Sequence, residues 1–442
     1  MFQTLYALPG GRMGGAVRVP GDKSISHRAI MLGSLAHGQT RISGFLEGAD
    51  ALATMNMFRA LGVSLQGPVN GEVTVEGVGL HGLQAPPGPL DCGNSGTSMR
   101  LLSGLLAGQS FESRLVGDAS LSRRPMRRVI EPLAQMGARI DSDDGHPPLV
   151  VRPVGALHAA SVQMTVASAQ VKSALILAGL YADGTTRVTE PAPTRDHTER
   201  MLAAFGVQVG RQGATVSISG GQILHGCAID VPADISSAAF FLVAASICPG
   251  ADLTLRHVGM NPTRTGVLQI LRAMGADITE SRHATVGGEP VADLRVRSAS
   301  LKGIDIPTEW VPLAIDEFPV LFIAAACAEG STVLRGAEEL RVKESDRIAV
   351  MAEGLAAIGM PVEATADGMR IQGRGGEAAP FSGGIIDSHS DHRIAMAFAV
   401  AALRSSAPIR ILDTANVNTS FPGFAAMARS IGMPIEVGLA HP

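Results

Sequence analysis

The sequence is poor in aromatics: one Trp, two Tyr and 13 Phe make up 4% of its 442 residues. An interior so short of rings must be filled by Ala, Val, Leu, Ile and Met, and no aromatic platform for nucleic acid is present. An excess of one charge is lacking too. The 36 Lys and Arg stand against 40 Asp and Glu, and a formal charge of −4 gives no electrostatic footprint for a polyanion. No apolar run is long enough to cross a bilayer; the nearest, AAFFLVAASICPG, stops at Pro249-Gly250. The opening residues MFQTLYALPGGR lack the basic start, apolar stretch and small-residue site of a secretion signal, so a cytoplasmic location without membrane contact is expected. Cysteine is scarce and scattered. Cys92, Cys227, Cys248 and Cys327 show no CxxC spacing, which argues against a disulfide framework or a zinc site and leaves four buried thiols as the expectation.

What is present is packing material, with 46% apolar residues, 17% charged residues and 52 Gly. The length exceeds what one core sustains, so two domains are expected. An internal repeat organises them. Six times an amphipathic helix ends at a Gly and runs into a strand: MFRALGVSL, PLAQMGARI, MLAAFGVQV, ILRAMGADI, GLAAIGMPV and MARSIGMPI, with glycines at 62, 137, 206, 275, 359 and 432. Glycine just past a helix takes the left-handed conformation without steric cost. Each copy is preceded by a second helix that is apolar on all sides, and therefore buried, but starts with Lys, Ser, Arg, Gln, Asp or His. A buried helix with a polar start directs its free N–H groups and positive dipole end at something negative.

The stretch RVPGDKSISHRA (18–29) has an echo in DVPADISSAAFF (230–241), which keeps V-P-x-D but drops the Lys and Arg. The two prolines, Pro20 and Pro232, read as a double hinge between two lobes of three repeats each. The boundaries expected are 21–231 for one lobe, and 1–20 with 232–442 for the other. An open solenoid is the competing arrangement, and the Pro-bounded half symmetry argues against it.

The helix starts carry chemistry. Lys23, Ser24 and Arg28 read either as a cradle for phosphate or carboxylate or as a solvated helix cap. GNSGTSMR (93–100) lets backbone approach a ligand closely but lacks the Lys of a nucleotide loop. SRRPMRR (122–128) gathers four arginines, which calls for anions nearby. SAQVK (168–172) and TRDHTE (194–199) add Ser168, Gln170 and Arg195. His197 and Glu199 have no second His at metal spacing. In the other half, IDEFP brings Asp316 and Glu317, RVKESDR packs Arg341, Lys343, Glu344 and Arg347, and SHSDHR adds His389, His392 and Arg393. Cations gather mostly in one lobe and acids interleaved with Arg in the other, which suits a reaction between two anionic substrates caught between closing lobes: cations neutralise, acids move protons.

GDKSISHR, GNSGT, RRPMRR, SAQVK, RDHTE, NPTR, IDEFP, RVKESDR and SDHR stand in an order that resembles the 5-enolpyruvylshikimate-3-phosphate synthase family along nearly the whole chain, with motifs similar to its class II branch. The resemblance implies an α/β fold, a two-lobe inside-out α/β barrel with three βαβαββ units per lobe. It implies transfer of the enolpyruvyl group of phosphoenolpyruvate to the 5-hydroxyl of shikimate 3-phosphate without metal or organic cofactor, by a monomer without nucleic-acid partners. Carried over by position, Lys23, Ser24, Arg28, Ser168, Ala169, Gln170, Arg195, Asp316 and Lys343 would bind shikimate 3-phosphate. Lys23, Asn94, Gly96, Arg124, Gln170, Arg347 and Arg393 would bind phosphoenolpyruvate. Asp316 would be the base, and Glu344 the acid assisted by Lys23. Two departures stand out: Thr419 occupies the position of a class I Lys, and Gly96 occurs where a glyphosate-tolerant class II relative has the bulkier Ala, so room for glyphosate beside Gly96 is expected despite the class II motifs. The alternatives are the related transferase acting on UDP-N-acetylglucosamine, whose loop Cys has no counterpart in GDASLSRRP (117–125), and a non-catalytic two-lobe anion binder, which would gain nothing from acids such as Asp316 and Glu344.

Overall fold

The structure, a computed structural model, describes residues 2–440. Twelve α-helices occur among these residues: α1 (Lys23–Leu35), α2 (Ala49–Ala60), α3 (Gly96–Ala107), α4 (Arg127–Ala134), α5 (Ala169–Gly179), α6 (His197–Ala204), α7 (Ile235–Ile247), α8 (Gly266–Ala273), α9 (Phe318–Ala326), α10 (Arg347–Ala357), α11 (His392–Ala401) and α12 (Phe424–Ser430). They alternate in kind, as the repeat predicts. Odd-numbered helices are apolar on every side and buried: all 13 residues of α7 are, and all of α9. Even-numbered helices are amphipathic, and the glycine after each adopts φ between 79° and 95° at 62, 137, 206, 275, 359 and 432. A side chain at those positions would be strained, which is why Gly punctuates every copy.

Contacts divide the chain into two units. The first comprises Gly21–Val231 together with Thr285–Glu289; the second comprises the residues up to Pro20, Pro232–Ala284 and those from Pro290 onward. The segment Thr285–Glu289 is the tip of a hairpin whose strands, Asp277–Val286 and Glu289–Arg297, belong largely to the second unit. Sequence reading did not foresee that excursion.

In the first unit three four-stranded sheets share one pattern. Leu90–Asp91 runs parallel to Ser113–Val116, which is antiparallel to His146–Arg152, itself antiparallel to Arg139–Asp143. With α3 and α4 between the strands, this is a βαβαββ unit. Ser161–Gln163, Thr185–Thr189, Thr215–Ser219 and Val209–Gln212 repeat it. In the remaining sheet the first strand, Ala228–Asp230, comes from the end of the unit and pairs with His37–Ser43.

The second unit borrows in the same way from the start of the chain. Gly14–Val17 lies parallel to Asp252–Gly259, and Phe2–Ala7 lies between Ile409–Leu412 and Ile435–Ala440. Its third sheet is three-stranded, Glu329–Leu334, Gly368–Arg374 and Glu363–Thr365, with the fourth strand reduced to isolated bridges at Lys302 and Asp305. Every sheet is open; in each unit the odd helices pack together at the centre, the inside-out arrangement expected. Of the four thiols, Cys92, Cys248 and Cys327 are buried, whereas Cys227 is half-buried and corrects the expectation of four. No helix among the described residues is long and apolar enough to cross a membrane.

Candidate active site

Each unit gathers its polar residues where its buried helices begin. In the first unit, Asp22 caps α1 by accepting from Ile25 N at 2.9 Å, Ser95 caps α3, and Ser168 caps α5. Short polar side chains at these positions satisfy donors that an apolar residue would leave bare. Lys23, the first residue of α1, places Nζ 2.5 Å from Asp50 Oδ2 on α2.

Arg28 is buried and commits three groups: Nε donates to Thr198 Oγ1 at 2.7 Å, Nη1 to Ser24 O at 2.9 Å and Nη2 to Ser173 Oγ at 2.9 Å. Burial lowers its pKa to about 10, with Glu199 opposing the shift and the nearby Arg195 adding to it. His27 next to it is enclosed by Thr54, Ser95 and Ser98; burial, reinforced by Lys23 and Arg28, pushes it down to about 3, so it is neutral.

At the start of α3, Thr97 and Arg100 meet Gln170, and Asn94 meets Arg124. Arg124 Nη2 donates to Asn94 Oδ1 at 2.8 Å, Arg100 Nη1 to Gln170 Oε1 at 2.6 Å, and Gln170 Nε2 to Thr97 Oγ1 at 2.9 Å. Gly96 lies against both guanidinium groups: a Cβ there would stand 2.9 Å from Arg100 Nη1 and 3.1 Å from Arg124 Nη1. Not all four arginines of SRRPMRR share this place, because Arg127 faces solvent and pairs with Asp144.

In the second unit the hub is Arg347, whose side chain is 1% exposed. Its Nε donates to Asp391 Oδ2 at 2.9 Å, Nη1 to Asp316 Oδ1 at 3.3 Å and Nη2 to Glu344 Oε2 at 2.5 Å. Burial alone would lower its pKa; the three carboxylates overcome that and raise it, led by Asp391. Asp391 is lowered in turn: burial works to raise it, and the charge and hydrogen bond of Arg347 together with the neighbouring His392 overcome that. Lys343 Nζ stands 3.4 Å from Asp316 Oδ1, and Arg393 Nη1 donates to Asp316 O at 3.0 Å. Behind them, Arg264 Nη2 donates to Ser236 Oγ at 2.6 Å, and Ser236 donates to buried Glu317. Asp234 caps α7 in the echo motif, so that copy draws its cation from the later NPTR stretch.

Several partners escaped sequence reading. Asp50, Asp391, Arg100 and Arg264 were not singled out, although Asp391 directly precedes α11 and occupies the place of an N-cap. Thr419 donates to Asn416 O at 2.7 Å and closes a local turn. Among the described residues no group of three or more His, Cys, Asp and Glu is placed to hold a metal.

Buried-helix repeats with cations and carboxylates at their starts define an α/β enzyme acting on small anionic molecules. Comparison with known proteins narrows this class. The chain belongs to the EPSP synthase (3-phosphoshikimate 1-carboxyvinyltransferase) family, whose model matches residues 8–427. It is 68% identical to the 3-phosphoshikimate 1-carboxyvinyltransferase of Alkalilimnicola ehrlichii over 437 residues, covering 99% of this chain and 97% of that one. It is 66% identical to that of Halorhodospira halophila over 434 residues, covering 98% and 97%. Its fold is similar to the solved structure of EPSP synthase from Acinetobacter baumannii, with TM-score 0.89, 56% identity and coverage of 99% and 100%.

Proposed function

We infer that this chain transfers the enolpyruvyl group of phosphoenolpyruvate to the 5-hydroxyl of shikimate 3-phosphate and releases phosphate, the carboxyvinyl-transfer step of aromatic biosynthesis. Family membership over nearly the whole length supports the reaction. The observation that carries the assignment of roles is the Arg347 hub, which holds two carboxylates, Asp316 and Glu344, beside Lys343 and Arg393.

In this reading Asp316 takes the hydroxyl proton as the oxygen bonds to C2 of phosphoenolpyruvate. Glu344, assisted by Lys23, delivers a proton to the methylene carbon, giving a tetrahedral intermediate. Phosphate then leaves by C–O cleavage while the methyl carbon gives its proton back, restoring the vinyl group. The proton lost by the hydroxyl ends on phosphate. Two acids beside cations are what such a sequence needs, because one group must accept a proton while another donates.

Shikimate 3-phosphate is assigned to Lys23, Ser24, Arg28, Ser168, Ala169, Gln170, Arg195, Asp316 and Lys343, and phosphoenolpyruvate to Lys23, Asn94, Gly96, Arg124, Gln170, Arg347 and Arg393. Donors at helix starts and bidentate guanidinium groups support these assignments by their chemistry. The passages at Pro20 and Pro232 are proposed as the hinge, and the enzyme as a cytoplasmic monomer. Phosphate release from phosphoenolpyruvate, measured with and without shikimate 3-phosphate, tests the reaction. Release without the second substrate, or none with both, would refute it.

A further inference from the structure

We infer that Lys172, which lies outside every set named above, is the positioning residue for the shikimate 3-phosphate ligands of the first unit; the inference rests on the ligand assignment just proposed. Its side chain is 0% exposed, so it meets no substrate. Its ammonium stands 3.1 Å from Glu190 Oε2, 2.9 Å from Glu199 Oε1 and 3.4 Å from the Thr194 carbonyl. The ammonium donates hydrogen bonds to Glu190 Oε1 at 3.2 Å and to the Thr194 carbonyl and pairs by charge with Glu199, so it engages three different parts of the chain. Glu190 follows the strand Thr185–Thr189, Thr194 belongs to the loop before α6, and Glu199 is on α6.

Each of those parts carries or supports a proposed ligand. Thr194 precedes Arg195, and its loop is folded onto Glu190 by Thr194 N and Oγ1, both donating to Glu190 Oε2. Glu199 acts on the Arg28 guanidinium electrostatically. Thr198, beside it, accepts from Arg28 and donates to Ser173 Oγ at 2.7 Å, and Ser173 follows Lys172 on α5. Lys172 N itself donates to Ser168 O at 3.1 Å, in the turn that presents Ser168, Ala169 and Gln170. One buried charge, carried by the first turn of α5, therefore sets the loop of Arg195 and the support of Arg28 together. The Arg124–Asn94 pair on the phosphoenolpyruvate side is made without it.

Stability alone does not call for such a group. Two carboxylates and an ammonium withdrawn from water are commonly no better for folding than apolar residues of the same volume, whereas they fix one geometry closely. The role of Lys172 is that geometry.

The test compares wild type with Lys172→Met and with Lys172→Met/Glu190→Gln, in which the charge removed from the cluster is balanced and the Gln oxygen still accepts from Thr194. Phosphate release is followed with each substrate varied in turn. The expected result is a KM for shikimate 3-phosphate raised about tenfold or more, with kcat and the phosphoenolpyruvate KM within about threefold, because misplacing ligands by a fraction of an ångström weakens one substrate's hold. A structural role alone would reduce the amount of active enzyme, lowering apparent kcat at unchanged KM. Unchanged KM values, or an equal rise of both, would overturn the inference. The double variant decides the matter if Lys172→Met does not fold. Absence of any shikimate 3-phosphate dependence in wild type would instead refute the proposed function, so the two failures are distinct.

Discussion

Replacing Asp316 by Ala separates its work in folding from the role of base proposed for it. The carboxylate's ion contacts include 3.3 Å to Arg347 Nη1 and 3.4 Å to Lys343 Nζ, both longer than a tight charge-assisted hydrogen bond. Arg347 keeps Asp391 at 2.9 Å and Glu344 at 2.5 Å, so no buried cation is stranded. The folding cost should therefore be about 1 kcal/mol, the scale of an ordinary hydrogen bond. Loss of a general base costs far more, about 100- to 10,000-fold in rate, or roughly 3–5 kcal/mol of barrier. Asp316→Asn keeps the volume and an acceptor for Arg347 but cannot take a proton, so it should fall as far as Asp316→Ala. The assay is phosphate release with each substrate varied, alongside thermal melting. In both variants kcat should drop by at least about two orders of magnitude while both KM values stay within about threefold. A folded Asn variant retaining kcat within about tenfold of wild type would remove Asp316 as the base.

Arg124→Ala should chiefly raise the phosphoenolpyruvate KM, by about tenfold or more, since a guanidinium contact present in the ground state acts on binding; a fall confined to kcat would contradict the assignment. Gly96→Ala puts a methyl 2.9 Å from Arg100 Nη1 and 3.1 Å from Arg124 Nη1 and must displace both, so inhibition by glyphosate should weaken together with the phosphoenolpyruvate KM. Unchanged inhibition in that variant, with wild type sensitive, would place the inhibitor elsewhere. His27 is held at about 3 against an ordinary 6.5, so the unfolded chain binds the extra proton between those values. Its contribution is present above pH about 6.5 and is lost as pH falls toward 3, by up to about 1.4 kcal/mol per pH unit. Urea midpoints of wild type should fall more steeply from pH 6.5 to 4.5 than those of His27→Gln, and parallel slopes would count against the burial of a neutral imidazole.

Helix pairs were legible because their signals are local. The apolar run of α7 and the Gly after α8 each lie within a dozen residues, and a C′ glycine has one conformational reason to be there. The charged starts were legible for the same reason: Lys23, Ser24 and Arg28 are neighbours in sequence as in space. What joins them was not. Asp50 reaches Lys23 across 27 residues, Asp391 reaches Arg347 across 44, and Arg264 reaches Ser236 across 28. No periodicity reports such pairings, because they are set by how helices pack and not by either helix alone. Arg127 shows the converse error: adjacency to Arg124 suggested a shared site, but the turn at Pro125 and the start of α4 send it to Asp144 at the surface.

Exposure divides these ionic groups into two kinds with different work. In Lys172–Glu190 and Arg347–Asp391 both side chains are at most 1% exposed, and breaking such a pair leaves a charge that water cannot reach, so these are the fixed pairs. Lys23 and Lys343, each 21% exposed, and Glu344, 19% exposed, are partly open to water, where parting from an ion-pair partner costs less than it does at full burial. A pair of small net worth can give up its partner for a phosphate or carboxylate at small cost, whereas a deep pair cannot. Of the proposed ligands and proton carriers, Lys23, Lys343 and Glu344 are of the exchangeable kind, while the deep pair with Asp391 keeps Arg347 aimed. Arg28 stands between the kinds: three of its five N–H groups donate to Thr198, Ser24 and Ser173, and the proposed contact with shikimate 3-phosphate falls to the remaining two.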